Sequence, residues 1–235
     1  MFILAIDTSN TILSVALVEN NGTLIEVCEE TKNDHSKRLM PTIDDLFKKV
    51  NRSPQELDLI AVAEGPGSYT GVRIGVTVAK MLSWTLNKPL VGISSLEVLA
   101  RNIFNENAYL IPLFDARRQT VFAGVYEGDF SNVIIEDGHY ELQNLLSNLS
   151  QYDKKMYFLG NDVVKYWDLI ESILGSKAFK VEEACLNKPS ASVLARLASE
   201  KDSVDNVHQF IPKYHRLPEA EMNWLLEQKS KGLSS

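Results

Sequence analysis

Cysteine is scarce in this chain: Cys28 and Cys185 are the only two in 235 residues, and they stand far apart without ligand partners nearby. A dense disulfide scaffold is therefore excluded, and reduced thiols in a cytoplasmic protein are expected; a single bridge between the two stays open from sequence alone. No apolar run approaches the length needed to span a membrane. The apolar start, Met1 to Ile6, meets Asp7 at once and has no basic leader, so it is read as a first strand rather than a signal peptide. An excess of basic residues is also missing. The net charge of −7 argues against broad electrostatic attachment to nucleic acid, though not against membership of a complex whose other subunit holds RNA. Against these absences stand a 45% hydrophobic and 23% charged composition, enough for a substantial core in one large domain or two small ones.

The densest run of special residues is Gly65-Pro66-Gly67-Ser68-Tyr69-Thr70-Gly71-Val72-Arg73-Ile74-Gly75. It lies between a strand-like run, Leu57–Ala63, and a helical pattern from Thr70 to Leu86, at a strand-to-helix turn where ligands or close backbone contacts are usual. A triphosphate loop needs a Gly-Lys-Ser/Thr ending, and Gly71 is followed by Val72. The dinucleotide fingerprint needs its third glycine three residues after the second, whereas Gly67 and Gly71 are four apart. What remains is a structural reading. Gly71, Gly75, Ala79 and Ser83 recur every fourth residue and make a seam of small side chains that admits another backbone, either the chain's own or a partner's.

Periodicity gives two α/β units. Strands are expected at Phe2–Asp7, Ser14–Glu19 and Thr23–Glu30, the last two joined by a hairpin at Asn20-Asn21-Gly22, then a helix over Ser36–Val50 with Pro41 near its first turn. After the glycine turn and its helix come a strand at Leu90–Ile93 and a helix capped by Ser94 or Ser95. The composition changes at Asn105-Glu106-Asn107, which sets the expected boundary between units 1–105 and 106–235. The second unit restarts with strands at Tyr109–Phe114, Thr120–Glu127 and Val133–Glu136, a helix over Leu142–Leu149, a strand at Met156–Leu159, and helices over Val163–Leu174 and Ser190–Glu200. The tail Ala220–Lys229 has a helical composition and either docks back on the first unit or stays exposed.

Candidate chemical groups are few. His35 and Ser36 are adjacent and cannot face each other on a helix, so a capping or surface role is expected for His35. His139, His208 and His215 share no metal-ligand spacing. Glu64 is either a general base or a polar end to its strand. Asp7 and Asp115 are either a carboxylate pair facing a cleft or anchors for backbone amides in their own turns. Arg117-Arg118 is either an anion site or a solvated pair.

A three-stranded meander followed by helix-strand-helix, then a similar restart, resembles the duplicated actin/hexokinase/Hsp70 architecture. In that superfamily the turns after the leading strands hold phosphate and magnesium. Here Asp7-Thr8-Ser9 lacks the glycine that lets phosphate approach, and Asp115-Ala116-Arg117 carries bulkier residues, so both are degenerate candidates for nucleotide binding.

Leu4-Ala5-Ile6-Asp7-Thr8-Ser9, His35-Ser36, the glycine run, Ser94-Ser95-Leu96-Glu97, Asp115-Ala116-Arg117-Arg118 and Pro212-Lys213-Tyr214-His215-Arg216 together resemble the TsaB (YeaZ) family. The resemblance covers the first half closely and the stretch from Ser131 to Ala191 mainly in pattern. It implies a non-catalytic subunit, without cofactor, of the bacterial machinery that places threonylcarbamoyl on the adenosine beside the anticodon of tRNAs reading codons that start with A. The implied partners are a TsaD-like transferase, a TsaE-like ATPase and, as an alternative, a second copy; contact with tRNA would be indirect or weak. The metal of TsaD is bound through an HxxxH motif, and the corresponding stretch here, Ser95 to Leu99, has serine and leucine at the ligand positions. The resemblance also implies that the first two long helices pair with equivalent helices of the partner. The expected interface comprises Leu39, Met40, Ile43 and Phe47 on the first helix, and Gly71, Arg73, Gly75, Thr77, Ala79, Lys80 and Trp84 on the second. The competing function in the same superfamily is a metal-dependent peptidase or a sugar-kinase-like phosphotransferase.

Overall fold

A computed structural model of the chain describes residues 1–20, 22–31, 34–105 and 107–215. The expected helix at Ala220–Lys229 and Arg216 of the closing motif lie outside the described residues. Among the described residues ten strands form two five-stranded sheets. The first has the order β3-β2-β1-β4-β5, from β1 (Phe2–Asp7), β2 (Ile12–Glu19), β3 (Gly22–Glu30), β4 (Leu59–Gly65) and β5 (Leu90–Ser94). The second has the order β10-β9-β6-β7-β8, from β6 (Ala108–Asp115), β7 (Thr120–Glu127), β8 (Val133–Glu141), β9 (Lys155–Leu159) and β10 (Ala178–Lys180). In each, the leading strand runs antiparallel to the next in sequence and parallel to the strand that returns after a helical connection: β1 with β2 and β4, β6 with β7 and β9. Read from β8 to β10, the second sheet repeats the first, so the duplicated mixed-sheet architecture is present.

Helices cover both faces of the first sheet, which is why β1 is buried along its whole length and shows no polar alternation. On one side, α1 (His35–Val50) and α2 (Tyr69–Leu86) pack Leu39, Leu46, Val72 and Val76 onto Leu4, Ile6 and Val62. On the other, α6 (Ala191–Ala198) lies on Ile3, Ala5, Ala16, Ala61 and Ala63, where small side chains let it approach closely. Thus α6, though late in sequence, packs on the first sheet. Between them, α3 (Ser95–Ala100) joins the halves by packing Leu96 and Leu99 with Leu110, Phe114 and Leu159 of the second sheet. There, α4 (Leu142–Leu149) and α5 (Trp167–Leu174) cover one face.

Several details differ from the sequence reading. Pro41 sits in the second turn of α1, where the chain forgoes one hydrogen bond to keep Leu39, Ile43 and Leu46 on the buried face. The stretch Val163–Tyr166 is a 3₁₀ turn that precedes α5, and β10 has only three residues, too few for a periodic signal.

Candidate functional site

The glycine turn is filled by the chain's own first polar turn. Ser68 caps α2, its Oγ accepting from Gly71 N at 3.3 Å, while Ser68 N donates to Ser9 O at 2.6 Å. Thr8 Oγ1 donates to Gly71 O at 2.7 Å in a buried position. A Cβ at Gly67 would stand 2.1 Å from Ser9 O, one at Gly71 2.2 Å from Thr8 O, and one at Gly75 2.5 Å from Thr8 Oγ1. The glycines therefore exist so that residues 7–9 can lie across the start of α2. Ser9 O and Thr8 O occupy the concavity, and carbonyl oxygens do not favour phosphate. The small-residue seam is internal: of the positions expected at a partner's surface, Gly71 and Gly75 are buried against β1 and its turn, and Ala79 is buried in the first core. A repeat of small residues every fourth position looks the same whichever backbone it admits.

The two aspartates hold backbone amides. Asp7 Oδ1 accepts from Ser9 N at 2.8 Å, and Asp115 Oδ1 accepts from Arg117 N at 2.7 Å. Asp115 is further engaged by Lys165 Nζ at 2.9 Å and Tyr166 Oη at 2.7 Å. Partial burial would raise its pKa, but the Lys165, Tyr166 and amide hydrogen bonds outweigh it and hold the carboxyl below its ordinary value. Burial and the Asp115 hydrogen bond push the Tyr166 hydroxyl up to about 12.

Asp7 is fully buried, and burial raises its pKa above the ordinary 3.8 against the opposing pull of the Ser9 amide, the Ser9 hydroxyl and His35. Among the described residues no hydrogen bond of normal geometry reaches its Oδ2 or the adjacent Ser9 Oγ, whose hydroxyl acts on the carboxyl only through its nearness. A raised carboxyl pKa means that the folded state binds the proton more tightly than the unfolded state. Asp7 therefore subtracts stability as pH rises from about 4 through its folded value, and subtracts most at neutral pH. Asp7→Asn keeps an acceptor for Ser9 N and is expected to gain about 1 kcal/mol at pH 7, or roughly 2–4 °C in Tm, shrinking towards acidic pH. Thermal melts at pH 7 and pH 4.5 check this; a lower Tm at pH 7 would contradict it.

Other candidates have structural duties. His35 is buried rather than at the surface: Nδ1 pairs with Thr31 Oγ1 at 2.8 Å and Nε2 with Asn10 O at 2.7 Å, and it gives α1 no side-chain cap. Glu64 is buried and bonded to Lys213 Nζ at 2.7 Å. Ser95 Oγ accepts from Gly65 N at 3.2 Å, and Leu99 is in the core. Among the described residues no group of three or more His, Cys, Asp or Glu could hold a metal ion. No described helix is long and apolar enough to cross a membrane.

The outer surface of α1 and α2 has a different character. Leu39, Ile43 and Phe47, expected at an interface, belong to the core, because their faces must anchor α1 to the sheet. Met40, Thr77 and Trp84 do point outward, joined by Met81, Thr70 and Thr85. Met40 is 45% exposed, Met81 53% and Trp84 61%. Along the 18 residues of α2 only Arg73 and Lys80 are charged. Beside this face, a groove of about 560 Å³ runs between the helices, walled by Met40, Ile43, Phe47, Leu82 and Leu86.

Arg73 and Lys80 face a segment that ends in the closing motif, at Pro212-Lys213-Tyr214, and whose course periodicity does not reveal. Residues 204–214 run along α2 as a strap, with Val204, Val207 and Phe210 packed on the first core. Val204 N donates to Leu90 O at 2.9 Å, and Lys213 N to Glu64 O at 2.8 Å. Lys80 Nζ reaches His208 O at 3.1 Å and Phe210 O at 2.5 Å, so this lysine is a latch within the chain rather than a free interface charge. Backbone carbonyls have no residue identity, so periodicity gives no sign of such a latch. Two glycines are local hints: a Cβ at Gly92 would meet Glu64 and Phe210, each at 2.6 Å, and one at Gly65 would meet the Lys213 carbonyl oxygen at 2.6 Å.

The chain matches the family model of the tRNA N6-adenosine threonylcarbamoyltransferase, TsaD, over residues 22–224. It is 42% identical over 233 residues to the tRNA threonylcarbamoyladenosine biosynthesis protein TsaB of Bacillus subtilis, covering 97% of this chain and 100% of that relative. A crystal structure from Pseudomonas aeruginosa, described as an uncharacterized protein with similarity to peptidase YEAZ, superposes with a TM-score of 0.77 at 25% identity, covering 92% of this chain and 99% of that one. The ROK hexokinase of Thermus thermophilus shares the fold alone, at a TM-score of 0.51 and 10% identity, covering 86% of this chain and all of the other. With near full-length identity to TsaB, a transferase-type family model over most of its length and a YeaZ-like fold, the chain belongs to the TsaB (YeaZ) family.

Proposed function

We propose that this chain serves tRNA threonylcarbamoyladenosine biosynthesis as a non-catalytic subunit, docking a TsaD-like transferase on the outer face of α1 and α2 and holding it in a competent state. The observation that carries this reading is the α2 surface. A water-facing helix ordinarily presents several charged residues, whereas this one presents Thr70, Thr77, Met81, Trp84 and Thr85 with Arg73 as its one exposed charge. Exposed methionine and tryptophan flanked by small polar residues is the composition of a protein interface.

Two further features support it. The positions that correspond to the HxxxH ligands of TsaD carry Ser95 and Leu99, which are committed to the glycine turn and the core. The match of this chain to a transferase family model supports a partner of related fold, which would offer two similar helices for a four-helix packing. A TsaE-like ATPase completes the assembly in this reading, and the acidic chain leaves tRNA to its partners. Peptidase chemistry would call for a metal ligand set or a nucleophile with its base, and phosphotransferase chemistry for open phosphate turns; His35 has both nitrogens engaged, Asp7 and Asp115 hold amides, and the Thr8 and Ser9 carbonyls fill the glycine turn.

Mixing the chain with its TsaD-like transferase and measuring mass by light scattering is expected to give a one-to-one complex. Two separate species would contradict the proposal. A self-dimer that the transferase fails to displace would assign the face to a second copy instead.

A further inference from the structure

One end of the strap carries a cluster that neither the seam nor the core accounts for. Arg73 lies over the Tyr69 ring, with its guanidinium carbon 4.4 Å from the ring centre, and 5.9 Å from the centre of Tyr214. The two tyrosine rings are 4.9 Å apart. Arg73 Nε donates to Tyr214 Oη at 2.9 Å. Among the described residues neither terminal nitrogen of Arg73 has an acceptor, and the residue is exposed. Tyr69 is 38% and Tyr214 41% exposed, so the cluster stands at the surface. At the other end of the same helix Trp84 packs edge-on to His208, with ring centres 5.8 Å apart. Between the two contacts Lys80 fixes the strap through the carbonyls of His208 and Phe210.

A guanidinium stacked on aromatic rings has its plane set and little rotamer entropy left to lose. With Nε engaged, its two terminal nitrogens still present N–H donors, and those suit an oxygen anion such as a carboxylate. Arginine and tyrosine are also the residue types that dominate binding energy at interfaces. The cluster continues the outer face of α2, on which Arg73 is the one exposed charge, with Thr77 lying between Arg73 and Trp84.

We infer that the strap is the third side of the docking face, and that Arg73, held by Tyr69 and Tyr214, anchors an aspartate or glutamate side chain of the transferase. The inference rests on the proposed pairing and adds to it a specific anionic contact. The partner is a protein carboxylate rather than an RNA phosphate. The chain's net charge is −7, and Lys213, beside the cluster, is already paired with Glu64.

The test measures affinity of the full chain for the transferase by calorimetry, at low and moderate salt, for wild type, Arg73→Ala, Arg73→Lys, Tyr214→Ala and Met81→Asp. Arg73→Ala is expected to weaken binding about tenfold or more and to flatten its salt dependence. Arg73→Lys, which keeps charge but loses the planar fork, is expected to recover only part of the loss. Tyr214→Ala is expected to fall between wild type and Arg73→Ala, with circular dichroism unchanged. Arg73→Ala and Tyr214→Ala both binding within twofold of wild type, while Met81→Asp fails to bind, would overturn this inference and leave the pairing intact. If Met81→Asp also binds normally, the pairing itself is wrong and the inference falls with it. Loss of tRNA retention in Arg73→Ala at unchanged transferase affinity would likewise overturn it.

Discussion

Met81→Asp is expected to abolish pairing with the TsaD-like transferase while the chain stays folded. Met81 is 53% exposed on the α2 outer face between Thr77 and Trp84, so an aspartate there reaches water in the monomer and should change stability by less than about 0.5 kcal/mol. In the complex the same carboxylate would be stripped of water opposite an apolar surface. The penalty of several kcal/mol for an unpaired buried charge corresponds to a loss of about a thousandfold in affinity. Light scattering of the mixture reads the pairing, and a thermal melt of the variant alone reads the fold. A variant that pairs within a few-fold of wild type would remove α2 from the interface. A variant that unfolds would instead place Met81 in the core, contrary to its exposure.

Gly71→Ala is expected to be among the most damaging single-methyl additions in the chain. In an exposed helix the change from glycine to alanine gains about 1 kcal/mol. Here the new Cβ would stand 2.2 Å from the backbone oxygen of Thr8, which cannot swing away because Thr8 Oγ1 is bonded to Gly71 O and Ser9 O to Ser68 N. The turn and the helix must separate, and overpacking of this kind costs about 1–3 kcal/mol net of any relaxation. A Tm lowered by roughly 3–10 °C follows, with Thr70→Ala on the exposed side of the same turn as a near-neutral control. An unchanged or raised Tm for Gly71→Ala would mean that the seam has room, and the internal reading would fail.

The sequence made some of this legible and hid the rest for physical reasons. The meander from Phe2 to Glu30 and its repeat from Ala108 are local, and strand alternation with turn residues announces them within a residue or two at most boundaries. The glycine turn was identifiable because three glycines at a strand-to-helix corner demand a close neighbour. Its neighbour was not, since a Cβ-free surface does not say which backbone it admits, and the answer was Thr8 and Ser9 of the same chain. Leu39, Ile43 and Phe47 read equally well as core or interface, because one apolar face serves either purpose. His35 is held by Thr31 and the Asn10 carbonyl, the latter 25 residues away, contacts that no spacing rule anticipates. The helical pattern of α6 revealed the helix but not the sheet it covers. The strap is the least visible feature of all, because Lys80 holds it through backbone carbonyls, and its side-chain contacts, Lys213 with Glu64 and Tyr214 with Arg73, join residues about 140 or more apart in the sequence.

The central claim is that this chain acts through its surface on a catalytic relative. Its most direct test is the rate of threonylcarbamoyl transfer to tRNA by the TsaD-like transferase, in the presence of the TsaE-like ATPase, titrated with this chain. Little turnover is expected without the chain, with a rise that saturates at one chain per transferase and no rise with Met81→Asp. Full turnover by the transferase in the absence of the chain, or transfer by the chain without the transferase, would contradict it.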